Sequence, residues 1–277
     1  MDTPSKLIAD SGSTKTDWLL LKGNAQIQIR TQGINPFMLD RKDISEIIRT
    51  ELLPELSEKS PATVHFYGAG CRGEQIRLLE DILRSFFPQA EIEVASDMLG
   101  AARALCGNDE GIACILGTGE NTCLFDGKSI TENIPPLGFI LGDEGSGAVL
   151  GKRLIGDILK KQLPENICND FFAEYGLSTD EIIKRVYKSP LPNRFLASFT
   201  FFLHKHKEDK DIQQLIIDEF CRFFKRNVAT YRRPDLPVHF IGSIAVHFNN
   251  ELKAAAERTG FLIGRTHKSP LEHPELL

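Results

Sequence analysis

Lys6-Leu7-Ile8-Ala9-Asp10-Ser11-Gly12-Ser13-Thr14-Lys15-Thr16-Asp17-Trp18-Leu19-Leu20-Leu21 opens the chain as two apolar runs around a Gly- and hydroxyl-rich turn. The spacing predicts a strand over 6–9, a turn over 10–16 and a second strand over 17–21. A turn of this kind presents backbone N–H groups and hydroxyls to an anion. Gly12 allows close backbone approach, Ser13, Thr14 and Thr16 supply hydroxyls, and Lys15 adds a point charge. Asp10, at the strand end, suits a hydrated Mg²⁺ better than a phosphate. An ordinary hairpin uses the same residues, so this turn alone leaves both readings open.

The pattern returns roughly a hundred residues on, a period suited to two similar lobes and too long for a solenoid. Gly111-Ile112-Ala113-Cys114-Ile115-Leu116 reads as a strand, Gly117-Thr118-Gly119-Glu120-Asn121-Thr122 as a turn, and Cys123-Leu124-Phe125 as the return strand. Two such turns are better explained by a shared polyphosphate ligand than by coincidence. Neither is a Walker A loop: Gly127-Lys128-Ser129 has the right ending, but Thr122 stands where the first glycine is needed.

Working outward, Gln26–Thr31 alternates like a third strand. Residues 40–58 carry Ile44, Ile47, Ile48 and Leu52 at helical spacing. Val64–Tyr67 and Glu91–Ala95 are short strands, separated by a helix from Glu74 that Pro88 ends. Asp97 begins the next helix. Three strands followed by helix–strand alternation predict an α/β lobe. After the second hairpin a helix runs from Ser146 to about Leu163, with mostly helical sequence to Arg233. Val238–Ile241 is a late strand, and a helix follows it through Arg258. The expected division is a first lobe over 1–107, a second over 108–265 with a helical insertion, and a tail over 266–277 that packs back on the first.

Asp97 follows an apolar strand and opens a helix. A carboxylate at a strand's C-terminal end suits a cleft, where it can take a proton from a substrate hydroxyl. Asp is also a strong helix N-cap, which is the structural alternative. Gly142-Asp143-Glu144-Gly145-Ser146-Gly147 places two carboxylates before a helix, suited either to sugar hydroxyls or to the helix dipole. Asn35, before Pro36, is a turn residue first and a polar ligand second. Gly68-Ala69-Gly70-Cys71-Arg72-Gly73 matches a dinucleotide fingerprint, with Glu91 and Glu93 about 20 residues on. It is not the first strand–helix turn, and hairpins flank it, which argues against that use.

Composition removes other classes. With 42% hydrophobic residues in 277, the chain has the material for a large core. A net charge of −5 argues against a broad nucleic-acid surface. No apolar run approaches the ~18 residues of a membrane span, and the apolar stretch near Leu7 is too short for a signal peptide. A cytoplasmic protein that binds neither nucleic acid nor membrane is expected. The six cysteines show no CxxC spacing, so neither a zinc nor a redox motif is evident. Most sit in apolar surroundings and should be buried thiols.

Read together, these segments resemble a known superfamily. Ile8–Asp17 is similar to the first phosphate motif of the actin, sugar kinase and Hsp70 ATPases, Ile115–Gly119 to the second, and Phe240-Ile241-Gly242-Ser243-Ile244-Ala245 to the adenosine motif. Leu141-Gly142-Asp143-Glu144-Gly145-Ser146-Gly147 resembles the BadF/BadG/BcrA/BcrD ATPase group, nearest its N-acetylglucosamine kinase-like branch. The resemblance implies an α/β fold of two ribonuclease H-like lobes with ATP and Mg²⁺ in a cleft between them. It implies that Asp10 helps hold Mg²⁺. Gly12, Ser13, Thr14, Lys15 and Thr16, with Thr118 and Gly119, would hold phosphates, and Gly242 and Ser243 would border the adenosine. Asp97 matches the catalytic base. Asn35, Asn121 and Asp143 match positions that contact the hexose, and Gly138 lies in the loop that shapes its pocket.

Two departures stand out. The family commonly has Ser where this chain has Glu120, and a carboxylate there repels ATP phosphates unless it turns away or holds Mg²⁺. The cluster cysteines of the redox-activating members and the zinc cysteines of the ROK sugar kinases are not evident. The expected activity is ATP-dependent phosphorylation of an amino sugar, first N-acetylglucosamine to its 6-phosphate, by a protein for which a homodimer would be ordinary. The alternatives are an ATPase that activates a redox partner and a non-catalytic sugar sensor, the latter motivated by Glu120.

Overall fold

The computed structural model describes residues 4–12, 14–57 and 59–277. By its contacts the chain forms two units: one of 1–108, 127–129 and 269–277, the other of 109–126 and 130–268.

The first unit holds a five-stranded sheet of β1 (Lys6–Ser11), β2 (Lys15–Lys22), β3 (Ala25–Gln32), β4 (Thr63–Gly68) and β5 (Glu91–Ser96), in the order β3-β2-β1-β4-β5. β1, β2 and β3 are antiparallel neighbours, while β4 and β5 run parallel to β1. Helices α1 (Arg41–Ile47), α2 (Glu74–Phe86) and α3 (Asp97–Cys106) complete it, with one π-helical turn (Ile48–Leu52) extending α1. Period-two alternation sends Leu7, Ala9, Val64 and Phe66 into one core with Leu79, Ile82 and Leu83 of α2. Trp18 and Phe66 meet there edge to face, 5.7 Å between centroids. Gly100 lets α3 lie against Tyr67, where a Cβ would come within 2.7 Å of the ring.

The second unit repeats this topology. Its strands are β6 (Glu110–Leu116), β7 (Glu120–Asp126), β8 (Ile130–Ile134), β9 (Val238–Ile241) and β10 (Ile263–His267). Their order is β10-β9-β6-β7-β8, again an antiparallel meander with two strands parallel to its first. Its helices are α4 (Gly138–Leu141), α5 (Gly147–Leu159), α6 (Glu165–Tyr175), α7 (Thr179–Lys188), α8 (Pro192–Ser198), α9 (Thr200–Lys205), α10 (Lys210–Arg226), α11 (Ser243–His247) and α12 (Asn249–Thr259). Phe220, Phe223 and Phe224 of α10 close over β6 and β9 in a core that includes Leu116, Val238 and Phe240.

The α/β fold is as the motifs implied, and several boundaries differ for physical reasons. β1 continues through Asp10 and Ser11 because both pair with β2 on one side and β4 on the other. β7 begins at Glu120, opposite Leu116, so the second turn shrinks to Gly117–Gly119. β8 escapes the sequence pattern because its polar middle is an exposed edge. The helix expected over 243–258 breaks at Phe248, and the one expected over 146–163 ends at Leu159. After β10 the chain joins the first unit, where Lys6 Nζ donates to the Leu277 carbonyl. Among the described residues no helix is long and apolar enough to cross a membrane. Five cysteines are buried and Cys221 half-buried, and none forms a disulfide.

Candidate functional site

In the first unit, parallel pairing of β1, β4 and β5 brings Asp10 and Asp97 to the same end of the sheet. Asp10 is the penultimate residue of β1, and Asp97 opens α3 directly after β5. The helix N-cap is Ser96, whose hydroxyl accepts from Leu99 N at 3.2 Å, so Asp97 is released from that duty. Asp97 Oδ1 accepts from Met98 N at 2.9 Å, which fixes the carboxyl. Burial raises the pKa of Asp97, opposed by the backbone N–H groups of Met98 and of Asp97 itself. Burial and then the neighbouring charges of Asp97 and Asp17 push Asp10 up to about 6, opposed by a hydrogen bond from Ser269 and by Lys15. Ser269 Oγ reaches Asp10 Oδ2 at 3.3 Å from the C-terminal segment. Two carboxylates that repel in a partly dry setting fit a divalent cation, whose charge relieves both. Among the described residues no group of three or more His, Cys, Asp or Glu is arranged for a metal, so further ligands would come from water and phosphate oxygens.

The adjoining hairpin turn is partly committed to structure. Gly12 N donates to Lys15 O at 3.0 Å, closing the turn. Thr14 is exposed, and Ser13 lies outside the described residues. Lys15 pairs with Asp17, which also takes Arg30 Nε at 2.7 Å. Thr16 departs from the expected phosphate role. It is buried, and its hydroxyl meets Ser11 Oγ at 2.6 Å, Gln32 O at 3.1 Å and Ile34 N at 3.1 Å. It ties the hairpin to the next loop. Asn35 sits in that loop, buried, with Oδ1 accepting from Phe37 N at 3.0 Å. Its side chain fills the space over Gly70, where a Cβ would come within 2.9 Å of Asn35 Cγ. Gly70 thus makes room for a side chain of the same unit.

In the second unit, the turn Gly117–Gly119 is pinned from below. Gly147 N and Ala148 N, at the head of α5, donate to the carbonyls of Gly117 and Thr118 at 2.8 and 3.1 Å. Thr118 is exposed. Gly242 joins this turn from β9: its φ is 122°, and a Cβ there would come within 2.7 Å of the Leu116 carbonyl carbon. Ser243 stands exposed at the start of α11. The adenosine and second phosphate motifs are therefore neighbours within one unit.

The acidic loop lies against the same turn. Asp143 adopts φ 57°, and its Oδ1 accepts from Gly138 N at 3.1 Å. A Cβ on Gly119 would lie 3.1 Å from Asp143 Oδ2, a tight contact that requires that carboxylate to shift by a few tenths of an ångström. Glu144 is buried in an ion pair with Arg226 of α10. Glu120 is buried, and its Oε2 is closed from solvent without a hydrogen-bond partner. Burial, then Asp143 and Glu144, push Glu120 up to about 8. Asn121 has its carbonyl oxygen engaged: Oδ1 accepts from Asn133 Nδ2 at 2.9 Å and from Thr122 N at 3.0 Å, knitting β7 to β8.

Three supporting residues escape the sequence reading. Ser269 reaches Asp10, and Arg226 pairs with Glu144. Glu219, fully buried on α10, accepts from Arg222 Nη1 at 2.8 Å and from Gly145 N at 3.4 Å, holding the acidic loop. Ser269, Arg226 and Glu219 lie far along the chain from Asp10, Glu144 and Gly145, so no local pattern marks these contacts.

Comparison with known proteins follows this geometry. A solved structure from Porphyromonas gingivalis, provisionally assigned as an N-acetylglucosamine kinase, is 50% identical, with 97% of this chain and 96% of that one covered and a TM-score of 0.93. Another from Chromobacterium violaceum, with the same provisional assignment, is 15% identical, covers 98% and 97%, and has a TM-score of 0.75. A ROK family glucokinase from Streptomyces griseus, solved with glucose and AMPPNP, is 11% identical, covers 96% and 95%, and has a TM-score of 0.57. The last two share the fold. No protein-family model matches the chain, and the search of curated proteins returns no match.

Proposed function

The chain belongs to the family of the Porphyromonas gingivalis protein provisionally assigned as an N-acetylglucosamine kinase, and we propose that it transfers the γ-phosphoryl group of ATP to an amino sugar. N-acetylglucosamine, phosphorylated at its 6-hydroxyl, is the first substrate to test. The observation that carries this reading is the Asp10–Asp97 pair at the end of the first sheet, beside a Gly- and hydroxyl-rich hairpin. The sequence motifs add the BadF/BadG/BcrA/BcrD group as the branch.

The roles follow from chemistry. Asp97 accepts the proton of the acceptor hydroxyl as that oxygen bonds to the γ-phosphorus and the bond to ADP breaks. Its raised pKa brings it nearer the range of an effective base. Asp10 would hold Mg²⁺, which when bound supplies positive charge to offset the phosphoryl oxygens. In the first unit Gly12, Thr14 and Lys15, and in the second Thr118 and Gly119, are assigned to phosphates. Gly242 and Ser243 are assigned to adenosine, and Asn35, Gly138 and Asp143 to the sugar.

ADP release from Mg·ATP, measured with N-acetylglucosamine, glucosamine, N-acetylmannosamine, glucose and no sugar, tests this. Sugar-dependent release that collapses in Asp97→Asn supports the kinase. Sugar-independent release replaces it with an ATPase switch, and sugar binding without any ADP replaces it with a sensor.

A further inference from the structure

Glu120 is a buried carboxyl group with one oxygen that the fold leaves unpaired. It is the first residue of β7 and follows the turn assigned to phosphate. It is 6% exposed, and its Oε2 is closed from solvent with no hydrogen-bond partner. A buried polar oxygen left unpaired is costly and asks for an account. The groups facing it are Asp143 and Glu144, from the loop before α5. Behind them stand Lys152 of α5, which acts on Asp143, and Arg226 of α10, which is paired with Glu144. Asp143 is turned toward Gly138 and Gly119, over a surface where a Cβ on Gly138 would meet nothing.

We propose that Glu120 sets sugar specificity as a neutral carboxylic acid, donating its O–H to an uncharged oxygen of the substrate, while Asp143 accepts from a neighbouring O–H or amide N–H. The reading rests on the sugar site assigned to Asp143 above. A neutral acid can donate where a carboxylate can only accept. Burial and two acidic neighbours keep the proton on Glu120 at neutral pH, up to about pH 8. An acetamido or hydroxyl oxygen on the sugar is the matching acceptor. A protonated amine would instead call for the ionised form.

The test is the affinity for N-acetylglucosamine, by calorimetry without nucleotide, from pH 6.5 to 9.5, for the unmodified protein and for Glu120→Gln. Binding by the unmodified protein is expected to weaken about tenfold per pH unit above pH ~8, as the donor is lost. In Glu120→Gln, a fixed amide donor, the profile is expected to be flat over that range whatever its absolute level. The same break in both proteins, no break in the unmodified protein, or no sugar binding at all overturns the proposal. So does a preference for glucosamine over N-acetylglucosamine and glucose that disappears in Glu120→Gln. Because the readout is binding, an absence of ADP release would end the kinase reading while leaving this result intact.

Discussion

Gly242 lies so close to Leu116 that a Cβ on it would collide with the Leu116 carbonyl, 2.7 Å from the carbon. β9 thereby lays the head of α11 against the end of β6, where the turn Gly117–Gly119 begins. The φ of 122° at Gly242 is itself a conformation that side chains rarely adopt.

Replacement of Gly242 by Ala is therefore expected to destabilise the protein by about 3 kcal/mol or more, from strain and overlap with backbone together. Gly156 is the control. It lies within α5, and a Cβ there meets nothing within 4 Å. Gly156→Ala should stabilise by ~0.5–1 kcal/mol through helix propensity. Urea unfolding of the three proteins checks both signs.

Asp97→Asn should separate activity from stability. It removes one of two mutually repelling carboxylates while keeping the acceptor for Met98 N. ADP release in the presence of sugar is expected to fall ~10²–10⁴-fold, the usual worth of a general base. The melting temperature without ligands should hold or rise. A variant that melts early would mark Asp97 as structural.

The buried acid Glu120 should make stability fall with rising pH. Its folded pKa, about 8, lies above the ordinary 4.5, so the folded state keeps a proton that the unfolded chain releases. The cost is absent below pH ~4.5, grows through the interval and is complete above pH ~8, on the order of a few kcal/mol. Glu120→Gln should remove it. The variant's gain in melting temperature should be small at pH 5 and largest near pH 8.5.

His239 should act in the opposite pH range. Its Nδ1 accepts from Arg265 N at 2.9 Å, which requires the neutral ring. Burial, then Arg265 and His267, lower its pKa from 6.5 to about 4. The unfolded chain then takes up a proton first as pH falls. Stability present at pH 7 is lost between pH ~6.5 and ~4, up to about 3 kcal/mol from this group. In His239→Gln that component of acid destabilisation should disappear from a pH series of unfolding curves.

Much of the fold was legible in local pattern. Both hairpins, at Gly12 and at Gly117–Gly119, announce themselves through turn residues between apolar runs. β8 was illegible because Ile130-Thr131-Glu132-Asn133-Ile134 is an exposed edge with apolar residues only at its ends. Asp10 and Asp97 were readable as carboxylates at strand ends. Thr16 and Asn121 read equally well as ligands. The Thr16 hydroxyl is taken up by Ser11 and Gln32, and the Asn121 amide oxygen by Asn133.

What the sequence determined by itself is the pair of strand–turn–strand units and the residue types at their turns, because backbone periodicity and turn chemistry act over a few residues. Tertiary structure alone decided that Ser269 meets Asp10, that Glu219 holds the acidic loop, and that an oxygen of Glu120 is shut in without a partner. Those outcomes depend on strand register and helix packing between segments far apart in the chain. Whether a buried carboxyl finds a donor is set by the position of the last atom to arrive, which no local pattern carries.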